Sequence, residues 1–402
     1  MKNTKFIIIL LILAAITKLT SVYFFGDKQI SNEWGVMVNS LENYGILASR
    51  NINGQFVPNI FMPPLYAYFL YSIKIFFKDL NLFLNFIFFI QTLMGLISCV
   101  IFYRILLNFF SIKLSKFGAL FFTLFPLNIY ATGLISSVSL QLFLSLVSIF
   151  FFLRLLKKDS FKNILLFSIP CGLLLLLRGE FFIIFFFFLT FFFFKKKNIF
   201  KIFLSLFFVI LIISPYIYRN YKIFEIFTIT KSSGFNLFKG NNHLAKVEGY
   251  GLFYNYRDIS NSLADVIDLI EPQNKYDLII DKILFDEAIK NINENKIYYF
   301  KLYLQKFFAF IVIDFNSSYP KYYNFFHVFP KILLSISTLI GIAVLFYNKQ
   351  FLNFFLIYFI INAVVFSFFF ILPRYSLPLL PIQIIISLEA IKFYFRYEKS
   401  NF

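Results

Sequence analysis

The sequence has few charged residues and few breaks in its apolar character. Only 14% of its 402 residues are charged and 60% are apolar, whereas a soluble domain has about 25% charged residues. The mean hydropathy is +0.77, and the apolar residues occur in runs of roughly 15 to 25, close to the length of a membrane-spanning helix. A water-soluble fold is therefore excluded. A membrane β-barrel would alternate apolar and polar residues, which the run Phe181–Phe194 does not.

Cysteine and histidine are too scarce for several common chemistries. The two cysteines, Cys99 and Cys171, fall inside predicted spans, so they indicate neither a disulfide framework nor a metal site. His243 and His327 are the only histidines, and there is no glycine-rich phosphate loop, His-x-Glu pair or Cys-x-x-Cys pair. Zinc-dependent and nucleotide hydrolysis are therefore poorly supported. No cofactor is predicted with certainty, and a divalent metal is left open.

The charge balance is strongly basic, with 38 Lys and Arg against 20 Asp and Glu and a net charge of +18. In a soluble protein this excess would suggest nucleic acid. Here the basic residues cluster at the ends of apolar runs, where the positive-inside rule accounts for them. We therefore expect a membrane-lipid environment and no nucleic-acid partner.

The order of the apolar runs predicts five regions. Residues 1–25 are expected to form a first transmembrane anchor, and residues 26–61 a first extracytoplasmic loop with catalytic residues. Residues 62–218 are expected to form a transmembrane helix bundle, 219–298 a second extracytoplasmic element and 299–402 the C-terminal membrane helices. The expected fold class is an all-α polytopic membrane protein with about ten to twelve membrane helices and two extracytoplasmic loop regions.

The distribution of basic residues predicts which side of the membrane each loop faces. Four basic clusters lie in the cytoplasm if run 63–78 only dips into the membrane and run 299–317 lies along its surface. The clusters are Arg104/Lys113/Lys116, Arg154/Lys157/Lys158/Lys162, Lys195/Lys196/Lys197/Lys201 and Arg396/Lys399. Residues 219–298 hold 11 of the 20 acids and are too long for a simple connection. Apolar residues at helical spacing predict a helix over 276–296.

Glu33 is the sharpest candidate for a catalytic base. It follows the first span in Ser31-Asn32-Glu33-Trp34, within a loop that has few other acids. A carboxylate beside a membrane-facing cavity can accept a proton from an acceptor hydroxyl or amine. The alternative is a solvated surface acid or a charge at a helix N-terminus. Asp27 competes for the same role, although a surface ion pair with Lys28 is the simpler interpretation.

Three arginines are predicted on the same outer side, against the positive-inside tendency. Arg178 lies between two apolar runs with Glu180, Arg219 follows Pro215, and Arg374 follows a proline. Arginine near membrane segments usually faces a cavity and has a partner. Each guanidinium can either bind the phosphate of a lipid headgroup through its forked donors or form a structural ion pair, which for Arg178 would be with Glu180.

Arg219-Asn220 is followed by the segment Gly234 to Leu237 and by Gly240-Asn241-Asn242. This block resembles the Arg-Asn, Gly-x-Asn-Leu and Gly-Asn-Asn block of the family 39 glycosyltransferases, and the further matches occur in the same order as in that family. Three weaker matches are Met62-Pro63-Pro64-Leu65-Tyr66, Gly172–Glu180 and Arg374-Tyr375-Ser376-Leu377-Pro378. The family is related to protein O-mannosyltransferases and to aminoarabinose transferases.

The resemblance implies a GT-C membrane fold and a polyprenyl-phosphate sugar donor. The acceptor would be a lipid, glycan or protein outside the cytoplasm. The family has an acidic pair in its first outer loop; here Glu33 is kept and Asn32 replaces the preceding acid, which leaves Glu33 or Asp27 as the base. Val138 stands where the family often has a glutamate, so metal use or acceptor type is expected to differ.

These observations lead to one principal hypothesis, an inverting transferase of the cell inner membrane. Glu33 would deprotonate the acceptor, Arg178, Arg219 and Arg374 would stabilise the departing phosphate, and the lipid tail would lie between apolar helices. The loop residues Asn220, Asn236, Asn241 and Asn242 are expected to order the outer loop over the sugar, or to act as turn residues beside the glycines. A polysaccharide polymerase or ligase is the alternative. A flippase or transporter is disfavoured because the positions in the middle of the spans are almost all apolar.

Overall fold

A computed structural model describes residues 2–30, 32–52, 54–248, 256–314, 324–350 and 353–400, with the side chains of these ranges except at 2, 3 and 396–400. Ser31 of the first-loop motif, residues 315–317 of one predicted run and 351–352 of another lie outside the described residues. The same holds for the side chains of Arg396 and Lys399.

The first half of the chain alternates long apolar helices with one short hairpin. Its elements are α1 (Lys2–Phe25), α2 (Glu33–Tyr44), β1 (Ala48–Ile52), β2 (Gln55–Pro58), α3 (Leu65–Phe76), α4 (Leu80–Leu106), α5 (Ile112–Leu124), α6 (Pro126–Tyr130), α7 (Val138–Lys157), α8 (Phe161–Leu177), α9 (Phe181–Lys196) and α10 (Ile199–Phe224).

The second half begins with shorter helices and then returns to apolar ones. Its elements are α11 (Ser233–Gly240), α12 (Asn261–Asp268), α13 (Tyr276–Glu294), α14 (Lys296–Ile311), α15 (Phe325–Tyr347), α16 (Phe354–Phe368) and α17 (Leu380–Ser400). The helix predicted over 276–296 is α13. The two-stranded hairpin β1–β2 was not predicted.

The apolar helices pack into one bundle around a common core. Helix α7 packs against α4 and α8, α8 against α10, and α15 against α17. Phenylalanine fills much of the space between helices: the ring of Phe152 stacks on Phe188 at 4.8 Å and on Phe354 at 5.2 Å. Offset aromatic contacts of this kind bury large surfaces in defined geometries.

Six helices are long and apolar enough to cross a membrane among the residues that the structure describes. A seventh span is formed if α5 and the segment Pro126–Gly133 count together, although they are bent by 53° at their junction. The bend falls at Pro126, because proline cannot donate the hydrogen bond that would continue α5. Helices α3, α8 and α16 are apolar but shorter, so the expected number of spans stays a prediction.

The two ends of the bundle differ in charge. Helix α7 starts at Val138 and has 20 residues, so it carries the chain about 30 Å away from its first residue. At its far end Lys157 donates to Asn108 at 2.5 Å, and in the following turn Asp159 accepts from Lys201 at 2.6 Å. Two basic residues, Lys157 and Lys201, therefore lie where three inter-helix turns meet, at the end opposite Val138.

The two long polar regions meet at the other end. Val57 from the hairpin shares an apolar cluster with Phe238 of α11, Leu263 of α12 and Ile280 and Leu284 of α13. The α13 residues lie four apart, so they occupy one face of the helix. Segments of 26–61 and 219–298 thus form a single small unit on top of the bundle.

Candidate functional site

A cavity of about 760 Å³ lies between the bundle and this unit. Its volume is within the range of small-molecule sites, about 300 to 1,000 Å³. The predicted site residues in its lining are Glu33, Arg178, Asn236 and Arg374. Asp27, Arg219, Asn220, Asn241 and Asn242 are not part of the lining.

Glu33 reaches the cavity from the first turn of α2. Asn32 caps this helix, since its side chain accepts a 3.2 Å hydrogen bond from the Trp34 backbone N–H. Trp34 is buried against Tyr66, with ring centroids 5.0 Å apart, and this packing fixes the start of the helix. Glu33 is exposed to the cavity. The helix N-terminus stabilises a negative charge at this position.

Arg178 and Arg374 both lie close to the ring of Tyr375. Their guanidinium carbons are 5.3 Å and 6.0 Å from the centre of its ring. Arg178 Nε donates to Gln141 Oε1 at 3.0 Å, and Arg178 Nη1 lies 3.8 Å from Glu180 Oε1. The Arg178–Glu180 ion pair that the sequence offered as an alternative is therefore present. Its N–O distance is long, and it leaves other guanidinium donors facing the cavity.

Helix α11 forms the wall of the cavity that closes over these groups. The backbone N–H of Phe235 donates to Asp281 Oδ1 at 3.0 Å, which fixes the helix to α13. A Cβ on Gly234 would lie 1.9 Å from the Asp281 carbonyl oxygen, and one on Gly240 would lie 2.5 Å from the Phe369 backbone. Both positions need glycine because the chains approach so closely. Burial raises the pKa of Asp281, and the Phe235 N–H opposes this rise.

Asn236, Asn241 and Asn242 divide into cavity and structural roles. Asn236 lines the cavity. Asn241 donates to the Leu237 carbonyl at 2.8 Å and to the Phe368 carbonyl at 2.9 Å, which joins the end of α11 to the end of α16. Asn242 donates to the Phe238 carbonyl at 2.9 Å and accepts from the Leu244 N–H at 2.8 Å. Asn241 and Asn242 thus make the hydrogen bonds expected of turn residues beside Gly240, and neither lines the cavity.

Asp27 supports the cavity from outside its lining. Its Oδ2 accepts a 2.7 Å hydrogen bond from the Ile135 N–H, and its own N–H donates to the Gly133 carbonyl at 2.9 Å. Partial burial raises the pKa of Asp27, although the Ile135 N–H opposes this. The ion pair with Lys28 is not formed among the described residues. Asp27 therefore holds the loop before α7, which carries the cavity residues Ser136 and Ser137.

Arg219 and Asn220 fix the loops around α10. Arg219 Nη1 donates to the Asn59 carbonyl oxygen at 2.7 Å and to Asn220 Oδ1 at 2.8 Å. Asn220 donates to the Thr228 and Ile229 carbonyl oxygens at 2.7 Å and 3.0 Å. The Arg-Asn pair of the sequence motif thus joins the first loop, α10 and the turn that leads to α11.

Two further cations, Lys239 and Arg50, line the cavity and were not predicted from the sequence. Arg50 Nε lies 3.2 Å from the buried carboxylate of Asp277. Burial raises the pKa of Asp277, and Arg50 opposes this. Lys239 directly precedes the Gly-Asn-Asn motif and lies four residues after Phe235, which is the signal that the sequence offers for its position. No group of three or more His, Cys, Asp or Glu able to hold a metal occurs among the described residues.

No protein-family model and no curated protein sequence matches the chain. Solved structures do match. The archaeal oligosaccharyltransferase AglB from Archaeoglobus fulgidus, in complex with an inhibitory peptide and a dolichol-phosphate, has a TM-score of 0.54 and 15% identity over 98% of this chain and 51% of that chain. The apo oligosaccharyltransferase of the same organism has a TM-score of 0.55 and 14% identity over 98% and 50%.

A third structure is that oligosaccharyltransferase tethered with an acceptor peptide containing the NVT sequon, with a TM-score of 0.54 and 14% identity over 97% of this chain and 50% of that chain. Identities this low show the fold alone. The chain therefore has a GT-C membrane fold, and it spans about half the length of the proteins it matches.

Proposed function

We propose that the protein is a membrane glycosyltransferase that moves a sugar from a polyprenyl-phosphate donor to an acceptor in the cavity. The observation that carries this proposal is the presence of Glu33, Arg178 and Arg374 in the lining of one cavity. A base and a set of phosphate-binding cations are the two requirements of such a transfer. The fold shared with an oligosaccharyltransferase supports the same class of reaction, and the sequence motifs add the family 39 resemblance.

In the proposed reaction Glu33 takes the proton of the acceptor hydroxyl or amine. The acceptor oxygen or nitrogen then attacks the anomeric carbon from the side opposite the phosphate, and the anomeric C–O bond breaks with its electron pair leaving on the phosphate. Arg178 and Arg374 stabilise the growing negative charge, and Arg219 keeps the surrounding loops in place. No step requires a general acid, because a phosphate leaves as an anion, and no step is assigned to a metal.

The lipid tail is placed against the apolar part of the lining. Ile183 of α9, Val365 and Phe366 of α16, and Phe369 form this part of the wall. They continue from helices that are apolar along most of their length, so a polyprenyl chain meets no polar surface there. The acceptor is a lipid, glycan or protein. The peptide bound to the structurally similar oligosaccharyltransferase makes a peptide one of the acceptors to test.

The cavity is assigned to the extracytoplasmic face of the cell inner membrane. The support is the concentration of basic residues at the opposite end of the bundle, where Lys157 and Lys201 lie, because positively charged turns remain in the cytoplasm. A polysaccharide polymerase or ligase would use the same base and cations and differ only in taking a growing glycan as acceptor.

The test is sugar transfer by purified full-length protein supplied with a radiolabelled polyprenyl-phosphate sugar and separate peptide, lipid and glycan acceptors. Glu33→Gln should reduce the rate of transfer by roughly 10²- to 10⁴-fold, as expected for loss of a general base. Glu42→Gln is the matched control, because Glu42 lies on the same helix and is exposed. Wild-type transfer by Glu33→Gln would contradict the assignment, and the acceptor that receives label identifies the class.

A further inference from the structure

Lys239 is a cation at the wall of the cavity. Its side chain is half-buried and lines the cavity. Its Nζ lies 4.3 Å from the centre of the Phe370 ring and 5.9 Å from that of Phe235. Among the residues that the structure describes, no carboxylate lies within ion-pair distance of Lys239 or of Arg374.

The position of Lys239 is fixed by its backbone. The residue that follows it, Gly240, contacts the Phe369 backbone so closely that a side chain would not fit. The Gly240 carbonyl oxygen accepts a 2.5 Å hydrogen bond from the buried Lys306, and Asn241 joins the end of α11 to α16. These three contacts of Gly240 and Asn241 fix the backbone next to Lys239. They therefore keep its ammonium group at the cavity wall.

The electrostatic surroundings of Lys239 favour a negatively charged ligand. Burial lowers its pKa, the positive charge of Arg374 lowers it further, and Glu33 opposes the shift. The charged groups that act on the ammonium thus come from two other elements, the segment after α16 and the start of α2. Two cations that repel each other across a partly desolvated cavity are stabilised when an anion binds between them.

We propose that Lys239 and Arg374 together bind the phosphate of the lipid-linked donor. The proposal rests on the proposed function and adds the residue that holds the departing phosphate from the α11 side. The aromatic rings around Nζ stabilise the lysine before the donor arrives, and the phosphate oxygens then replace this contact with charge-assisted hydrogen bonds. Arg178, which also lies close to the Tyr375 ring, completes the group.

The test measures binding of farnesyl phosphate, and separately of farnesol, to the purified full-length protein in detergent. Lys239→Met should weaken farnesyl phosphate binding by roughly 10- to 100-fold, as expected for a hydrogen bond to a charged group, and leave farnesol binding unchanged. Lys246→Met is the matched control, because Lys246 is exposed in the segment that follows α11. Equal affinity of wild type and Lys239→Met for farnesyl phosphate would overturn the proposal.

A pH series separates this role from a structural one. Above about pH 7.5 the phosphate keeps a constant charge, since its second pKa is about 6. Wild-type affinity should then fall as the pH rises through the lowered pKa of Lys239, whereas Lys239→Arg should bind with little dependence on pH because arginine stays charged. The same alkaline loss in Lys239→Arg would overturn the proposal. Failure of the wild type to bind farnesyl phosphate at all would overturn the donor class itself.

Discussion

The guanidinium of Arg219 donates a 2.7 Å hydrogen bond to the main-chain carbonyl oxygen of Asn59, which lies 160 residues earlier in the chain. A second donor of Arg219 reaches the Leu47 carbonyl oxygen at 3.4 Å. The outer end of α10 is thereby tied to both ends of the β1–β2 hairpin. The hairpin carries Arg50 into the cavity, so this contact connects the folding of the first loop to the shape of the site.

Arg219→Ala should lower the stability of the protein more than its affinity for a lipid phosphate. Removing the guanidinium leaves the Asn59 carbonyl without its charged donor, a loss of about 1.5–3 kcal/mol. Arg219→Lys should recover part of the stability by keeping one donor. The measurements are the thermal unfolding midpoint in detergent and farnesyl phosphate binding. A large loss of binding with an unchanged midpoint would instead support the prediction from sequence that Arg219 contacts the phosphate.

Asp27→Asn should be tolerated, and its effect should depend on pH. The folded protein raises the pKa of Asp27, so folding favours the protonated carboxyl and the contribution of Asp27 to stability falls as the pH rises through this pKa. The variant does not titrate. Its unfolding midpoint should therefore rise relative to that of the wild type as the pH is raised from about 4, near the pKa of an unperturbed aspartate, through the raised pKa of the folded state. The amide oxygen can still accept the Ile135 N–H.

The same variant decides between the two candidate bases. Asp27 is engaged by the loop before α7, whereas Glu33 faces the cavity. Asp27→Asn should therefore retain sugar transfer at a rate within a few-fold of the wild type. Transfer abolished in Asp27→Asn and retained in Glu33→Gln would move the base to Asp27.

The membrane part of the fold was predictable because its signal lies in single segments. The apolar run that precedes Phe25 and the run from Ile199 onward each predict a helix on their own. In lipid, a helix must form all of its backbone hydrogen bonds within the segment, without help from distant residues. The helix at Tyr276–Glu294 was predicted for a similar reason, from the spacing of its apolar residues. The hairpin Ala48–Pro58 was missed because its strands are short and the pattern Ala-Ser-Arg-Asn-Ile does not alternate.

Residues of the candidate site could be predicted from the sequence only where a charged side chain is unusual at its position. Arg178 and Arg374 stand out because charges are rare beside apolar runs. Lys239 does not stand out, since the surrounding loop contains several lysines and only the fold shows which one faces the cavity. Arg219 was noticed for the same reason as the other arginines, but sequence could not show that its donors are used by backbone carbonyls of the first loop.

Gly240→Ala should destabilise the protein and reduce sugar transfer together. The new Cβ would lie 2.5 Å from the carbonyl carbon and oxygen of Phe369, and backbone atoms cannot move aside as a side chain would. Overpacking of this kind costs about 1–3 kcal/mol and shifts α11 with its lysine. The thermal midpoint measures the first effect. Gly179→Ala is the control for stability, because its Cβ would meet only the Thr230 hydroxyl, at 3.0 Å; an equal loss of stability in the two variants would contradict the close-contact explanation.

Lys18→Met should destabilise the bent segment that follows α5. Lys18 is 1% exposed, and its Nζ donates to the Asn128 carbonyl oxygen at 2.9 Å and to Thr132 Oγ1 at 3.0 Å. These groups belong to the bent segment after α5, where side-chain donors supply hydrogen bonds to the Asn128 carbonyl oxygen. Methionine has a similar volume but no donor, so the variant should lose about 1–3 kcal/mol of stability.

Sugar transfer by Lys18→Met should fall together with its stability, because the loop that follows Thr132 carries Ser136 and Ser137 into the cavity lining. The control is Lys28→Met, which removes an exposed lysine outside the bundle and should change neither property. Wild-type stability in Lys18→Met would mean that the bent segment satisfies its carbonyl oxygens without Lys18. The hydrogen bonds of Gln91 to the Thr132 and Leu134 carbonyl oxygens, both 3.0 Å, would then be sufficient to hold the loop. Gln91→Leu on the Lys18→Met background should in that case produce the missing loss of stability.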